Sequence, residues 1–165
     1  NEAIVRLKER LLANPGLYVV HSTGKELYDD VVSSLHLADG ERERWQVVPY
    51  ISNMGEALAA ADLVVSRAGA SSIAEIAALA VPSVLVPYPL ATGDHQTTNA
   101  HYLVDAGAAD LFADDTIDGD EFARDLLDLV NNGERRERMR ASARGLGQDQ
   151  AAAKLADVVE RAAGR

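Results

Sequence analysis

Apolar positions along the chain alternate between two patterns: stripes spaced three or four residues apart, and short unbroken runs. Ile4, Leu7, Leu11 and Leu12 make a helical stripe, closed by Asn14, Pro15 and Gly16. Leu17–Val20 is a short run that predicts a buried strand. A helix through Leu27, Val31 and Leu35 follows, then a polar loop from Asp39 to Arg44. Trp45–Val48 predicts a strand ended by Pro49, and Met54–Ala61 a short helix. Leu63–Val65 predicts a strand, Ser71–Ala80 a helix stopped by Pro82, and Val84–Val86 a strand stopped by Pro87 and Pro89. A helix from His95 to Ala106 ends at Gly107, and a weaker strand follows at Ala109–Ala113. The tail is helical from about residue 120 to 165, as Asp120–Asn131, Glu134–Arg144 and Gln150–Ala163. Breaks fall at Gly133 and at Gly145–Gly147.

Short apolar runs alternating with helices mean βαβ units, hence an α/β fold with a Rossmann-like parallel sheet and helices on both faces. Such folds normally begin with a strand, whereas this sequence opens at Asn1 in a helical pattern. A first strand and its loop are therefore expected to be missing. No internal repeat, low-complexity tract or linker divides residues 1–165, which read as one domain.

Composition narrows the chemistry. The chain of 165 residues has no cysteine, which removes thiol nucleophiles, disulfides and zinc–cysteine sites. Its 26 acidic against 16 basic residues, a formal net charge of −10, argue against nucleic acid as a partner. No apolar run approaches the roughly 20 residues of a membrane-spanning helix, and no signal-peptide pattern opens the chain. A soluble domain is expected.

In open parallel sheets, ligands bind beyond the carboxyl ends of the strands. Four loops qualify: His21–Gly24, Pro49–Asn53, Ser66–Ser72 and Pro87–Gln96. In the third, a strand enters Gly69 and a helix starts within two or three residues. Gly69 permits a tight turn and close approach, and free N–H groups at Ala70, Ser71 and Ser72 favour an anion such as a diphosphate. An ordinary helix start has the same composition, because Ser72 and Glu75 match a capping box. Glu75 accordingly has two readings, a cap partner or a carboxylate for both hydroxyls of a ribose cis-diol. Taken alone, the cap is favoured. In the fourth loop Asp94 or Thr92 caps a helix, and His95 and Gln96 in its first turn suit sugar hydroxyls or bulk solvent.

Other signals fail. Asp118–Asp120 imitates a metal-binding DxD, and Asp114–Asp125 imitates an EF-hand, but Thr116 and the absent terminal Glu spoil the latter. A turn and helix cap are expected there. Gly24–Lys25 lacks the rest of a P-loop, and the four histidines lack metal-ligand spacing. The alternating charges of Glu134–Arg140 read as a solvated helix face.

Taken in order, Tyr50–Met54, Ala60–Ala70, Glu75–Ala78, Val86–Pro87, His95–Gln96, Asn99–Ala100 and Ala106–Ala109 resemble the donor half of the MurG family. That family comprises the bacterial UDP-N-acetylglucosamine:lipid I N-acetylglucosaminyltransferases of glycosyltransferase family 28. The resemblance covers nearly the whole chain and is densest from Val48 to Ala109. It implies one half of a GT-B enzyme: residues 1–165 as the C-terminal nucleotide-sugar domain, starting just beyond a Gly-Gly-Ser-x-Gly-type loop.

By the same resemblance Glu75 binds the ribose hydroxyls, and Ile51 holds the uracil edge through its backbone. Tyr50 lies beside the base, with Met54 at the pocket's helix. Gly69, Ala70, Ser71 and Ser72 face the diphosphate and sugar, and His95 and Gln96 contact sugar hydroxyls. His21, Thr23, Arg67 and Asn99 are further candidates. The reaction implied is inversion at the anomeric carbon, producing lipid II for peptidoglycan synthesis. No cofactor or metal is implied. The catalytic base and the lipid I site belong to an N-terminal acceptor domain, at the cytoplasmic face of the cell membrane. Two alternatives stay open: a family 28 enzyme with another acceptor or sugar, and a non-catalytic nucleotide-binding module acting through a partner.

Overall fold

The computed structural model describes residues 1–146. The helix expected at Gln150–Ala163 lies outside them. Within them the element order is α1 (Glu2–Arg6), α2 (Lys8–Leu12), β1 (Val19–Ser22), α3 (Tyr28–Leu35), α4 (Asp39–Arg42), β2 (Trp45–Val48) and α5 (Met54–Ala60). Then come β3 (Val64–Ser66), α6 (Ala70–Leu79), β4 (Ser83–Leu85), α7 (His95–Val104), β5 (Ala109–Leu111), α8 (Asp120–Asn131) and α9 (Gly133–Ala143). A 3-10 turn at Thr92–Asp94 leads into α7.

All strand pairing is parallel, as the alternation of elements implies, but it divides into two sheets. β1 pairs with β2, and β3-β4-β5 form the second sheet. Consecutive residues of β4 point to opposite faces, as pleating requires. Val84 joins a core built from Leu7, Leu11, Leu35, Trp45, Phe122 and Leu129. Its neighbour Leu85 joins a second core with Ile73, Ile76, Ala100 and Leu103. Helices therefore cover both faces of the three-stranded sheet. The first core also takes in Val19 and Trp45 of the β1-β2 pair, so it ties the two sheets together.

Four local expectations change. The opening helix breaks at Leu7, where ψ swings to 1°. The first strand begins two residues later than Leu17, and the run is not buried. Tyr18 is 73% and Val20 59% exposed. Side chains alternate between the two faces of a strand, and the face of β1 that carries Val20 and Ser22 is left exposed. The Asp39–Arg44 loop contains α4, whose Glu41 Oε2 accepts from the Ala38 N–H and from Lys8 Nζ, each at 2.9 Å. The charged stretch Glu134–Arg140 is not a solvated face either. Arg135 on α9 donates to Asp110 on β5 at 2.9 Å, and to Asp125 and Asp128 on α8 at 2.7 and 2.8 Å. Arg136 adds bonds to the carbonyls of Leu129 and Val130 at the end of α8.

His21, expected in a loop, instead lies inside β1 with its ring against Trp45. Its Nε2 meets Asn1 Oδ1 at 3.1 Å, and its buried Nδ1 has no partner among the described residues.

Candidate functional site

Within each sheet the strands run the same way, so the loops leaving β3, β4 and β5 collect along one edge. The end of β1 lies beside the end of β2, with which it pairs in parallel. Asn1 Nδ2 donates to the Thr23 carbonyl just past β1, at 3.0 Å. α5, which follows β2, packs beside α6, and α6 packs beside α7.

The loop after β3 is the centre of this edge. α6 starts at Ala70 with Gly69 as its N-cap residue, one turn earlier than the capping-box reading of Ser72 and Glu75 requires. That box does not form. Gly69 has no side chain with which to cap, so the N–H groups of Ala70, Ser71 and Ser72 stay open at the positive end of a ten-residue helix. In two other helices the same end is compensated: α5 has an Asn53 cap and Glu56, and α8 begins with Asp120 and Glu121. α6 has no acidic residue in its first turn. Such an end can accept an anion.

Gly69 itself has φ −63°, which any residue adopts, and an added Cβ would meet only Ser72 Oγ at 3.8 Å. Folding does not demand glycine here, and the space beside it is open. Gly69→Ala is expected to change the unfolding free energy by no more than about 1 kcal/mol, while weakening pyrophosphate binding. Denaturant unfolding beside a pyrophosphate titration checks both halves.

Glu75 is exposed, and among the described residues it has no hydrogen bond or ion pair. Three residues separate it from Ser72, about 4.5 Å along the axis and on one helix face. A group bound at the open N–H end would thus have a free carboxylate one step further along. Tyr50 is 69% and Met54 40% exposed, and Ile51 is half-buried. His95 is exposed in the first turn of α7.

Other candidates are already engaged. Gln96 Oε1 accepts the Ala68 N–H at 3.1 Å and the Tyr88 N–H at 2.9 Å, leaving only its amide nitrogen to donate elsewhere. Asn99 Nδ2 donates to the Ala68 carbonyl at 3.2 Å. Arg67 Nη1 donates to the carbonyls of Val86 and Pro87, pairs with Asp114, and lies over the Tyr88 ring. His21 and Thr23 are buried, and the Thr23 hydroxyl donates to the Gly24 carbonyl at 2.9 Å. Neither presents a polar atom to the open edge. Of the two caps expected before α7, Asp94 takes the position in a left-handed conformation, φ 54°. Its carboxylate accepts from Thr97 Oγ1 at 2.7 Å rather than from the backbone. Sequence reasoning missed Tyr88 and Asp114, whose roles are visible only once β4 and β5 lie beside β3.

A cavity of 380 Å³ opens next to this edge, lined by Pro87, Pro89, Leu111, Phe112 and the acids Asp94, Asp114 and Asp115. None of the residues expected to touch a nucleotide sugar lines it. Its three acids make it a poor place for an anion. The Asp118–Asp120 segment is a turn with Gly119 as the N-cap residue of α8. No cluster of three or more His, Asp or Glu among the described residues is arranged to hold a metal ion. No helix among them is long and apolar enough to cross a membrane.

Comparison with known proteins brings these features together. Residues 1–161 match the glycosyltransferase family 28 C-terminal domain. A UDP-N-acetylglucosamine--N-acetylmuramyl-(pentapeptide) pyrophosphoryl-undecaprenol N-acetylglucosamine transferase of Salinibacter ruber is 44% identical over 94% of the chain and 41% of its own length. The enzyme of the same name from Halothermothrix orenii is 36% identical over 97% of the chain and 44% of its length. The chain thus spans less than half the length of these curated relatives. The crystal structure of Acinetobacter baumannii MurG superposes with a TM-score of 0.80 at 29% identity, over 97% of the chain and 46% of that structure.

Proposed function

The chain belongs to the glycosyltransferase family 28 C-terminal domain family, and on that premise we propose that it binds the UDP-N-acetylglucosamine donor for transfer of N-acetylglucosamine to lipid I. The observation that carries this reading is Glu75: a carboxylate with no partner among the described residues, one helical step beyond the uncapped start of α6. A nucleoside diphosphate laid along α6 meets both features at once. Its phosphates take the N–H groups of Ala70, Ser71 and Ser72, and its ribose hydroxyls donate to Glu75.

The remaining roles follow from the resemblance to the family. The Ile51 backbone takes the uracil edge, Tyr50 flanks the base, and Met54 lines the pocket at the start of α5. Absence of a side chain at Gly69 lets the diphosphate approach. His95 and the free amide nitrogen of Gln96 hold the sugar hydroxyls from the first turn of α7. In the transfer, the acceptor's 4-hydroxyl oxygen forms a bond to the anomeric carbon as that carbon's bond to the diphosphate breaks, with inversion. UDP leaves with the bonding pair. Charge building on its terminal phosphate is met by backbone N–H groups already oriented, which avoids reorganisation at the moment of reaction. The proton of the acceptor hydroxyl passes to a base outside residues 1–165, in an N-terminal acceptor domain that also holds lipid I at the cytoplasmic face of the membrane.

Isothermal titration tests the donor reading. UDP and UDP-N-acetylglucosamine are expected to bind, and ADP much more weakly. Glu75→Ala should weaken UDP by about 1–3 kcal/mol, the scale for lost charge-assisted hydrogen bonds. Equal affinities for UDP and ADP, or an unchanged affinity in Glu75→Ala, would overturn it.

A further inference from the structure

The Ala68 peptide units lie one residue before the open end of α6 and are held from a different helix. Gln96 and Asn99 sit three residues apart, on one face of α7. Gln96 Oε1 accepts the Ala68 N–H at 3.1 Å, and Asn99 Nδ2 donates to the Ala68 carbonyl at 3.2 Å. Ala68 is fully buried, so water cannot substitute for either bond. The carbonyl that Asn99 holds belongs to the peptide whose nitrogen is that of Gly69. Fixing that plane sets the direction from which Gly69 enters the helix.

We propose that Asn99 is a positioning residue for the diphosphate, acting through the Ala68–Gly69 peptide and touching no donor atom itself. This rests on the donor reading above. An N–H group aimed at a phosphate loses much of its value with small misorientation, and the glycine at the pivot leaves the loop no side chain of its own to resist rotation. Arg67 braces the preceding residue against the segment just after β4, but its bonds go to Val86 and Pro87 and leave the Ala68 carbonyl untouched. Asn99 alone, among the side-chain hydrogen bonds of the described residues, holds that carbonyl. The same node includes the Tyr88 N–H through Gln96, so α7 links the diphosphate loop to the loop that leads to His95.

The test separates the phosphates from the nucleoside. Uridine and UDP are titrated into the wild-type chain, Asn99→Ala and Asn99→Asp, with thermal unfolding recorded for each. Asn99→Ala is expected to lose about fivefold to tenfold in UDP affinity, the effect of one hydrogen bond, while its uridine affinity stays within twofold. Asn99→Asp, close in shape but without the donor, should lose at least as much for UDP and again spare uridine. A purely structural role would lower both ligands together in proportion to the fall in unfolding temperature. That result, or unchanged UDP affinity in both variants, overturns the proposal. A wild-type chain that binds UDP no better than uridine overturns the donor reading itself, and the positioning role with it.

Discussion

Arg135→Met is expected to destabilise the protein by about 2–3 kcal/mol, lowering its melting temperature by roughly 5–10 °C. The guanidinium is three-quarters buried and is shared by three carboxylates, from β5 and from two turns of α8. Its removal leaves Asp110, Asp125 and Asp128 facing one another. One Asp125 oxygen is already buried without a partner among the described residues. A fully enclosed pair would cost more; the part-exposure of Asp110 and Asp128 keeps the figure at the lower end. The effect also has a sign in pH. Burial, and then the Asp125 charge, hold the Asp110 carboxyl above the usual range even with Arg135 present. A carboxyl raised in the folded state favours folding when protonated, and that contribution is lost as pH rises through the folded value. Without the guanidinium this strengthens, so the gap between wild type and Arg135→Met should narrow from pH 7 to pH 5. Asp110→Asn in the Arg135→Met background should recover part of the loss. Denaturant unfolding across that range decides it: a gap independent of pH means the carboxylates do not repel as their arrangement requires.

Acid should act separately through His21. Burial beside Trp45 pushes this histidine down to about 4 from an ordinary 6.5. Below pH 6.5 the unfolded chain binds a proton that the native state refuses until about pH 4. Stability from the neutral ring is therefore complete above 6.5 and drains away as the pH falls between those values. At about 1.4 kcal/mol per decade the loss amounts to about 3 kcal/mol. Wild type should consequently lose about that much more than His21→Gln between pH 7 and pH 4. Parallel stability curves for the two proteins would show that the ring titrates freely in the folded state.

Both predictions concern residues that the linear sequence misplaced, and for the same reason. Glu134–Arg140 alternates in sign, which locally describes a solvated helix; the partners of Arg135 lie 7, 10 and 25 residues away. His21 follows an apolar run and precedes Ser, Thr and Gly, which locally describes a loop. It is core because β1 runs two residues further, in register with Trp45–Val48. By contrast β2 occupies the residues that periodicity assigns to it, and α5 and α8 begin at Met54 and Asp120 as expected. Their signals are short-range: an apolar run ended by proline, an Asn cap, an amphipathic stripe.

The candidate site divides along the same line. Alternating apolar runs and helical stripes determined by themselves that strand ends would present four loops to one edge, because a right-handed βαβ unit leaves no other place for them. Residue order along those loops was enough to identify the family. The sequence could not determine which polar atoms the edge keeps for a ligand. Taken alone, Glu75 read better as a cap than as a ligand, but α6 begins at Ala70 and leaves it without a partner among the described residues. Gln96 looked as free as His95, yet its carbonyl oxygen is committed to Ala68, 28 residues away. Hydrogen-bond partners so distant in the chain meet only when β3 and β4 lie side by side. An atom is available to a ligand only after those internal partners have been satisfied, which is why tertiary structure decided it.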